Sequence, residues 1–260
     1  MSRDALIMSA DTEEVIPDAL RTRGEKIHII SPTSAEWKLV VAGAGDVDYI
    51  CMARDLIEEK VSCSEGTNQE ITDAIRDATS QIWQNHARYE QHAVNLRLLV
   101  GSLSADNVLR LIVVSGVAVH DGRDLEAMGI GDATFRALAD RFLPHGRLSH
   151  VSAQNEAIRS FVIYAMLQAK QTIPGVGGNT RVLTLTRNGE IKWEKSWKVA
   201  ALQEFFSRFD STIRDCMHGL MPDADLDPEK FLEALHKHLR NDMKRLQREL
   251  KKIEENKSWF

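Results

Sequence analysis

Alternating apolar and polar positions dominate the first sixty residues and predict three strands followed by a helix. The first strand runs up to Ala10-Asp11-Thr12, and a polar turn follows it. The second strand spans Lys26 to Ile30, and the third spans Trp37 to Ala42. A glycine-containing corner, Gly43 to Gly45, follows the third strand, and apolar residues then recur at helical spacing from Asp48 to Glu59. Because glycine tolerates backbone angles that other residues avoid, the sequence predicts a sharp turn between this strand and the helix.

The middle of the chain alternates helical and strand patterns. Thr67 and Glu70 have capping-box spacing and predict the start of a second helix. The later segments with strand or helix patterns are two strands over Leu96–Leu103 and Val108–Val117, extended to Val119, a helix opening at Asp132, a helix over Ser152–Lys170, and strands over Arg181–Thr186 and Glu190–Trp193. Consecutive helices after consecutive strands predict helical layers packed on antiparallel sheets.

The last quarter of the chain reads as helix, linker and helix. Lys195 to Gly219 has an apolar stripe, and Pro222 and Pro228 bracket an acidic linker. Residues 229 to 254 carry apolar side chains at spacings of three and four, which favours a coiled-coil-like helix. We expect it to pack against the Lys195–Gly219 helix or against the counterpart of that helix in another subunit. Seven Lys or Arg and two acids lie between Lys237 and Lys252. The sequence therefore predicts a domain over 1–219 and a linker with an amphipathic helix over 220–260.

Composition narrows the class of protein. The chain has 260 residues, is 43% hydrophobic and carries a net charge of −5, which suits one large domain with an appendage. Three cysteines without paired spacing indicate reduced thiols, and the nine histidines include no i, i+4 pair that would clamp a metal. There is no apolar run of membrane-spanning length and no signal-peptide pattern. We therefore expect a cytoplasmic protein with no membrane partner, metal or cofactor.

The order of the first pieces resembles the start of a proteasome-type subunit, the ring-forming class of N-terminal-nucleophile hydrolases. In that family a strand ends in a small residue and Asp, the next strand opens with Lys, and a third ends in a glycine corner before a helix. The matching pieces here are Ser9-Ala10-Asp11-Thr12, Gly24-Glu25-Lys26-Ile27 and Val41-Ala42-Gly43-Ala44-Gly45-Asp46.

The resemblance implies roles for three residues. The family's nucleophile is an N-terminal threonine, a lysine lowers the pKa of its amine, an aspartate orients the lysine, and a corner N–H forms the oxyanion hole. The resemblance implies that Lys26 is this lysine, that Asp11 is the aspartate that orients it, and that Gly43, with Ala44 beside it, provides the corner N–H. The resemblance covers residues 4 to 193 by pattern.

Other family positions differ. The family has a short strand ahead of the first one seen here, and the nucleophile heads it, so the chain as given is either inactive or preceded by further sequence. Ser2 is rejected as nucleophile, because nine residues of strand place it about 30 Å from Asp11. Ile130 stands where the family has a serine that supports the nucleophile. Ile173 and Val176 stand where the family has an Asp and a Ser of the proton relay.

Plainer interpretations remain open at this stage. Asp11 could be a turn or cap residue and Lys26 a solvated lysine. The Gly43 corner could be a dinucleotide-binding turn, although the third glycine is missing and Asp48 stands in its place. The basic terminal helix lacks interleaved aromatic residues, which argues against a nucleic-acid partner.

Together these patterns predict an α+β fold, a four-layer sandwich of two largely antiparallel sheets between helical layers, with a C-terminal helical extension. The first function hypothesis is a threonine-type peptidase subunit without its nucleophile, acting on a protein or peptide substrate. The alternative is a non-catalytic ring-forming or scaffold subunit. Either hypothesis implies a homo-oligomer or related ring subunits as partners.

Overall fold

A computed structural model of the chain describes residues 4–15, 21–23, 25–31, 36–89, 94–142, 151–219 and 228–256. The strands are β1 (Ala5–Asp11), β2 (Glu13–Val15), β3 (Arg21–Arg23), β4 (Ile27–Ile30), β5 (Lys38–Gly45), β6 (Leu96–Leu103), β7 (Leu109–Ser115), β8 (Ala118–Asp121), β9 (Thr180–Thr186) and β10 (Ile191–Trp193). The helices are α1 (Val47–Ser62), α2 (Asn68–Tyr89), α3 (Asp132–Phe142), α4 (Val151–Thr172), α5 (Ser196–Gly219) and α6 (Pro228–Asn256).

Two compact units divide the chain, Met1–Trp193 and Glu194–Phe260. This division falls before α5, whereas the boundary expected from composition, residue 219, falls after it. Ser2 and the linker between Pro222 and Pro228 lie outside the described residues, so the interpretations placed on them stay predictions.

The first unit is a sandwich of antiparallel sheets and helices, which confirms the predicted fold class. One sheet has the strand order β4-β5-β6-β7-β8, and the other has the order β1-β9-β10. Helices α1 and α2 pack on the five-stranded sheet, and α4 packs on β1 and β9. The predicted layers therefore follow one another as helices, sheet, sheet and helices.

The five-stranded sheet has an apolar cluster on each of its two faces, and β5 contributes to both. Leu39 and Val41 face α1 and α2, while Val40 between them faces the other sheet, and all three are fully buried. Between the two sheets, Val40 packs in a cluster that contains Leu6 and Leu183. This core fixes β1 above the five-stranded sheet and so sets the position of Asp11 at its end.

Two local predictions were wrong. Val117 to Val119 does not extend β7, because Gly116 has φ +62° and turns the chain back so that β8 pairs with β7. The segment after Thr12, predicted to be a polar turn, instead contains the short antiparallel pair of β2 and β3. Both errors concern places where the chain reverses within a few residues, and strand pattern alone does not locate such reversals.

The second unit is a pair of helices. Helix α6 packs against α5 with Leu235, Leu239 and Leu246 half-buried, while Leu232 and Met243 of the same apolar series stay exposed. The predicted contact with the Lys195–Gly219 helix is present, and the coiled coil stays a prediction. No helix in the described ranges is long and apolar enough to cross a bilayer.

Candidate functional site

Asp11 and Lys26 meet although fifteen residues separate them. Lys26 Nζ donates to Asp11 Oδ1 at 2.7 Å, and the two side chains are 25% and 11% exposed. Asp11 ends β1, and Lys26 immediately precedes β4, so the two sheets bring them together. Charged groups that are largely withdrawn from water are usually paired, which indicates a defined position for the lysine.

The second oxygen of the Asp11 carboxylate is held by a loop that follows α4. Gly177 N–H donates to Asp11 Oδ2 at 3.0 Å, and Asn179 N–H donates to Thr12 Oγ1 at 2.9 Å. Both donors are backbone groups, and the loop contains Ile173 and Val176. The end of β1 is therefore anchored from two directions, and Lys26 occupies one face of the anchored carboxylate.

The glycine corner lies beside this pair. Position 43 of β5 falls opposite position 26 when the pairing of Ile27 with Ala42 is continued by one step. Asp46 N–H donates to Asn95 O, so the backbone of Asp46 points toward β6. Because this direction alternates along an antiparallel strand, the backbone N–H and C=O groups of Gly43 and Gly45 point away from β6. The backbone of Gly43 therefore lies next to the backbone of Lys26. The backbone N–H of Gly45 points the same way and lies beyond the paired residues of β4, past Ile27.

Gly45 makes the predicted sharp turn. Its φ is +119°, and a Cβ added there would lie 1.9 Å from the carbonyl oxygen of Asn95. Gly43 has an ordinary φ, but an added Cβ would lie 2.5 Å from Cγ2 of Ile50. The expectation that at least one of these glycines needs a positive φ is confirmed at Gly45.

Asp11, Lys26, Gly43 and Gly45 all line one cleft of about 720 Å³. Its lining is mostly apolar and includes side chains of α4, of the loop before α3 and of β1. A few polar groups in a largely apolar concavity are typical of binding sites. The charged side chains that line it are Asp11, Glu25, Lys26, Arg97, Asp124 and Glu126.

One wall of the cleft is an open strand edge. All six residues from Leu6 to Asp11 line it, and since successive side chains point to opposite faces, the cleft must run along the edge of β1. The bond from Arg187 N–H to Asp4 O directs the even-numbered backbone groups of β1 toward β9. Ile7 and Ser9 therefore direct theirs toward the cleft, where the described chain provides no pairing strand.

The other positions singled out in the sequence are apolar as expected. Ile130 is 62% exposed and lines the same cleft, as does Val176. Ile173 is the first residue of the loop after α4 and donates its N–H to Ala169 O, as a helix terminus would. The structure thus brings Asp11, Lys26 and Gly43 together, and the roles given to them stay proposals.

Sequence reasoning missed the groups that act through their backbone. Gly177 and Asn179 were passed over because a main-chain N–H leaves no signature in side-chain chemistry. The adjacent glycines Gly177 and Gly178 were the available signal, since glycine permits the close approach of a backbone to a carboxylate. Within the described residues no three His, Cys, Asp or Glu side chains come together in a metal-binding arrangement.

The arrangement has a clear chemical capacity. A lysine ammonium held 2.7 Å from a carboxylate, at the wall of an apolar cleft, can stabilise negative charge or exchange a proton with a group that approaches Nζ. Among the described residues, Lys26 Nζ forms its hydrogen bond with Asp11. A reacting hydroxyl or amine would have to be brought to the cleft beside it.

Comparisons with solved structures identify the fold. No family model and no curated protein sequence matches the chain. Anbu (ancestral beta-subunit) from Yersinia bercovieri is 14% identical, with a TM-score of 0.67 over 86% of this chain and 97% of that one. Anbu from Hyphomicrobium sp. strain MC1 is 12% identical, with a TM-score of 0.62 over 86% and 99%. Anbu from Pseudomonas aeruginosa, solved as a helical assembly, is 15% identical, with a TM-score of 0.61 over 86% and 97%.

These matches correct the family suggested by the sequence. The resemblance to a proteasome-type subunit lacking its nucleophile strand was wrong, because the matching structures are Anbu proteins. The error arose because strand, glycine corner and helix belong to the fold and do not separate its families. The match also extends further than residue 193, since 86% of 260 residues is about 224. The chain therefore has the fold of the Anbu proteins, including part of the helical unit.

Proposed function

We propose that this chain is an Anbu-like, proteasome-like subunit that assembles with copies of itself. Its cleft keeps the lysine–carboxylate half of a threonine-type peptidase site, and this polypeptide by itself does not hydrolyse peptides. The contact between Lys26 Nζ and Asp11 Oδ1 carries the proposal, because a partly buried lysine–carboxylate pair at the wall of an apolar cleft is typical of functional sites.

The assembly part of the proposal is supported by the fold. The Pseudomonas aeruginosa structure that shares this fold is described as a helical assembly. In this chain, two apolar residues of α1, Val47 and Met52, are 49% and 42% exposed. Apolar side chains on an outward helix face are a common feature of subunit contacts.

The peptidase part rests on the open edge of β1. A strand added there antiparallel to β1 would begin at the Asp11 end and so bring its first residue beside Lys26. The lysine could then act on an N-terminal nucleophile in the way that the threonine-type mechanism requires. Without such a residue, the cleft can bind an extended peptide, but the described residues place no N-terminal nucleophile beside Lys26.

A hairpin extension provides the test. The chain alone should give no turnover of fluorogenic peptides. A variant in which an apolar strand headed by threonine is joined to Asp4 by a two-residue Asn-Gly turn should gain turnover. Replacing the threonine with alanine, or introducing Lys26→Ala, should abolish it. Asp77→Asn in the same variant, at an exposed acid of α2 outside the cleft lining, should leave it unchanged. Turnover by the chain alone that survives Lys26→Ala would contradict the proposal.

The second candidate is a non-catalytic assembly subunit with the same fold. It is favoured by the apolar side chains at Ile130, Ile173 and Val176, none of which can donate or accept a hydrogen bond. If the hairpin extension folds, as judged by an unchanged or raised melting temperature, and still gives no turnover, this candidate is preferred. In that case the Asp11–Lys26 pair serves only to anchor β1.

A further inference from the structure

Helix α1 presents an outward seam of acidic residues. Ala53, Ile57 and Val61 are fully buried against the sheet and α2. At about 100° of rotation per residue, Asp48, Met52, Asp55 and Glu59 lie on the opposite side of the helix. All four are exposed, Met52 by 42%. The seam therefore has three carboxylates around one apolar side chain, and it points away from the molecule's own core.

Helix α6 presents a seam of the opposite charge. Its half-buried residues Leu235, Leu239 and Leu246 face α5. The exposed residues Lys237, Arg240, Lys244 and Arg248 lie about 180° away from that face by the same rotation. Met243, 52% exposed, lies beside them. This seam therefore also points outward, with four cations and an adjacent apolar side chain.

The two seams match in length as well as in charge. Each spans eleven residue steps, about 16 Å of helix, with members three or four residues apart. Helices that pack side by side do so through residues at this spacing. Opposite charges along such a contact attract, and like charges directly opposite one another repel, so charge selects both partner and register.

We infer that α6 of one copy of this chain docks along α1 of a second copy, through the basic seam Lys237–Arg248 and the acidic seam Asp48–Glu59. This inference rests on the proposed assembly and names a contact within it. The contact is heterologous, since each copy offers a different surface to each neighbour, and repetition of such a contact builds a ring or a helical filament.

Charge exchange between the two seams is the test. Asp55→Lys with Glu59→Lys, or Lys244→Glu with Arg248→Glu, should each weaken assembly at least about tenfold, because several attractive pairs become repulsive. An equimolar mixture of the two variants should assemble again, since each then offers the seam that the other needs. Asp77→Lys with Asp140→Lys, exposed acids on α2 and α3, makes the same change in net charge as Asp55→Lys with Glu59→Lys and should leave assembly unchanged. Light scattering at low and high salt measures these samples and the parent chain, with melting curves to verify that each is folded.

The outcomes separate this inference from the proposed assembly. If the parent chain assembles and both seam variants assemble equally well, the seam contact is wrong and the assembly stands. If each variant dissociates but the mixture does not recover, the charges do not meet between copies and the inference is again wrong. If the parent chain is monomeric throughout, the proposed assembly itself is wrong, and the seam contact with it.

Discussion

Lys26 Nζ donates a hydrogen bond to Asp11 Oδ1 across the junction of two sheets. The carboxylate is fixed on its other oxygen by the backbone of Gly177, so the lysine is held rather than solvated. A held lysine beside an open strand edge is the arrangement on which the proposed peptidase-like role depends.

Replacing Asp11 should destabilise the protein. Asp11→Ala leaves Lys26 Nζ and Gly177 N–H without their acceptor and should lower the free energy of unfolding by about 1–3 kcal/mol. Asp11→Asn keeps an oxygen for one donor and should cost less. Glu25→Gln, at an exposed carboxylate paired with Arg181, is the control and should change little. Urea unfolding measures all three, and a loss for Asp11→Ala no larger than that of the control would remove the anchoring role.

Gly45 should resist substitution for reasons of backbone geometry. At φ +119°, with a new Cβ 1.9 Å from Asn95 O, Gly45→Ala should cost more than about 1 kcal/mol. Gly131→Ala is the matched control, because its nearest neighbour would be Ala169 Cβ at 3.6 Å. Equal melting temperatures for the two variants would show that the corner is not strained.

The capping box at the start of α2 predicts a pH dependence. Hydrogen bonds from the backbone and side chain of Thr67 to the Glu70 carboxylate hold the pKa of Glu70 below its ordinary value of 4.5. A carboxylate with a lowered folded pKa adds stability above the unfolded pKa, and that stability is lost as pH falls through the folded pKa. The stability difference between the parent and Glu70→Gln should therefore shrink as pH falls below about 4.5. A difference independent of pH between 3 and 7 would contradict this.

The two helices of the second unit should depend on one another. A chain ending at residue 222 lacks α6 and uncovers the apolar surface of α5 that Leu235, Leu239 and Leu246 cover. We expect a lower melting temperature and increased aggregation, because an isolated helix gains little stability from propensity alone. Unchanged solubility, mass and melting temperature in the shortened chain would show that α6 is a solvated tail.

The sequence predicted what side-chain pattern controls and missed what the backbone controls. The resemblance of the first strands implied that Asp11 orients Lys26, and the glycine corner suggested the positive φ found at Gly45. The capping box between Thr67 and Glu70 forms as expected. The bond from Gly177 N–H spans 166 residues and involves no side-chain donor, so no local pattern could reveal it. The reversal at Gly116 was missed because apolar residues continue through it.

The proposed assembly of this chain with copies of itself is tested most directly by the mass of the intact chain in solution. Multi-angle light scattering should give a multiple of the 29.3 kDa subunit mass at micromolar concentrations and low salt. A mass of 29.3 kDa throughout the micromolar range would contradict the account, because an Anbu-like subunit that stays alone has no assembly to serve.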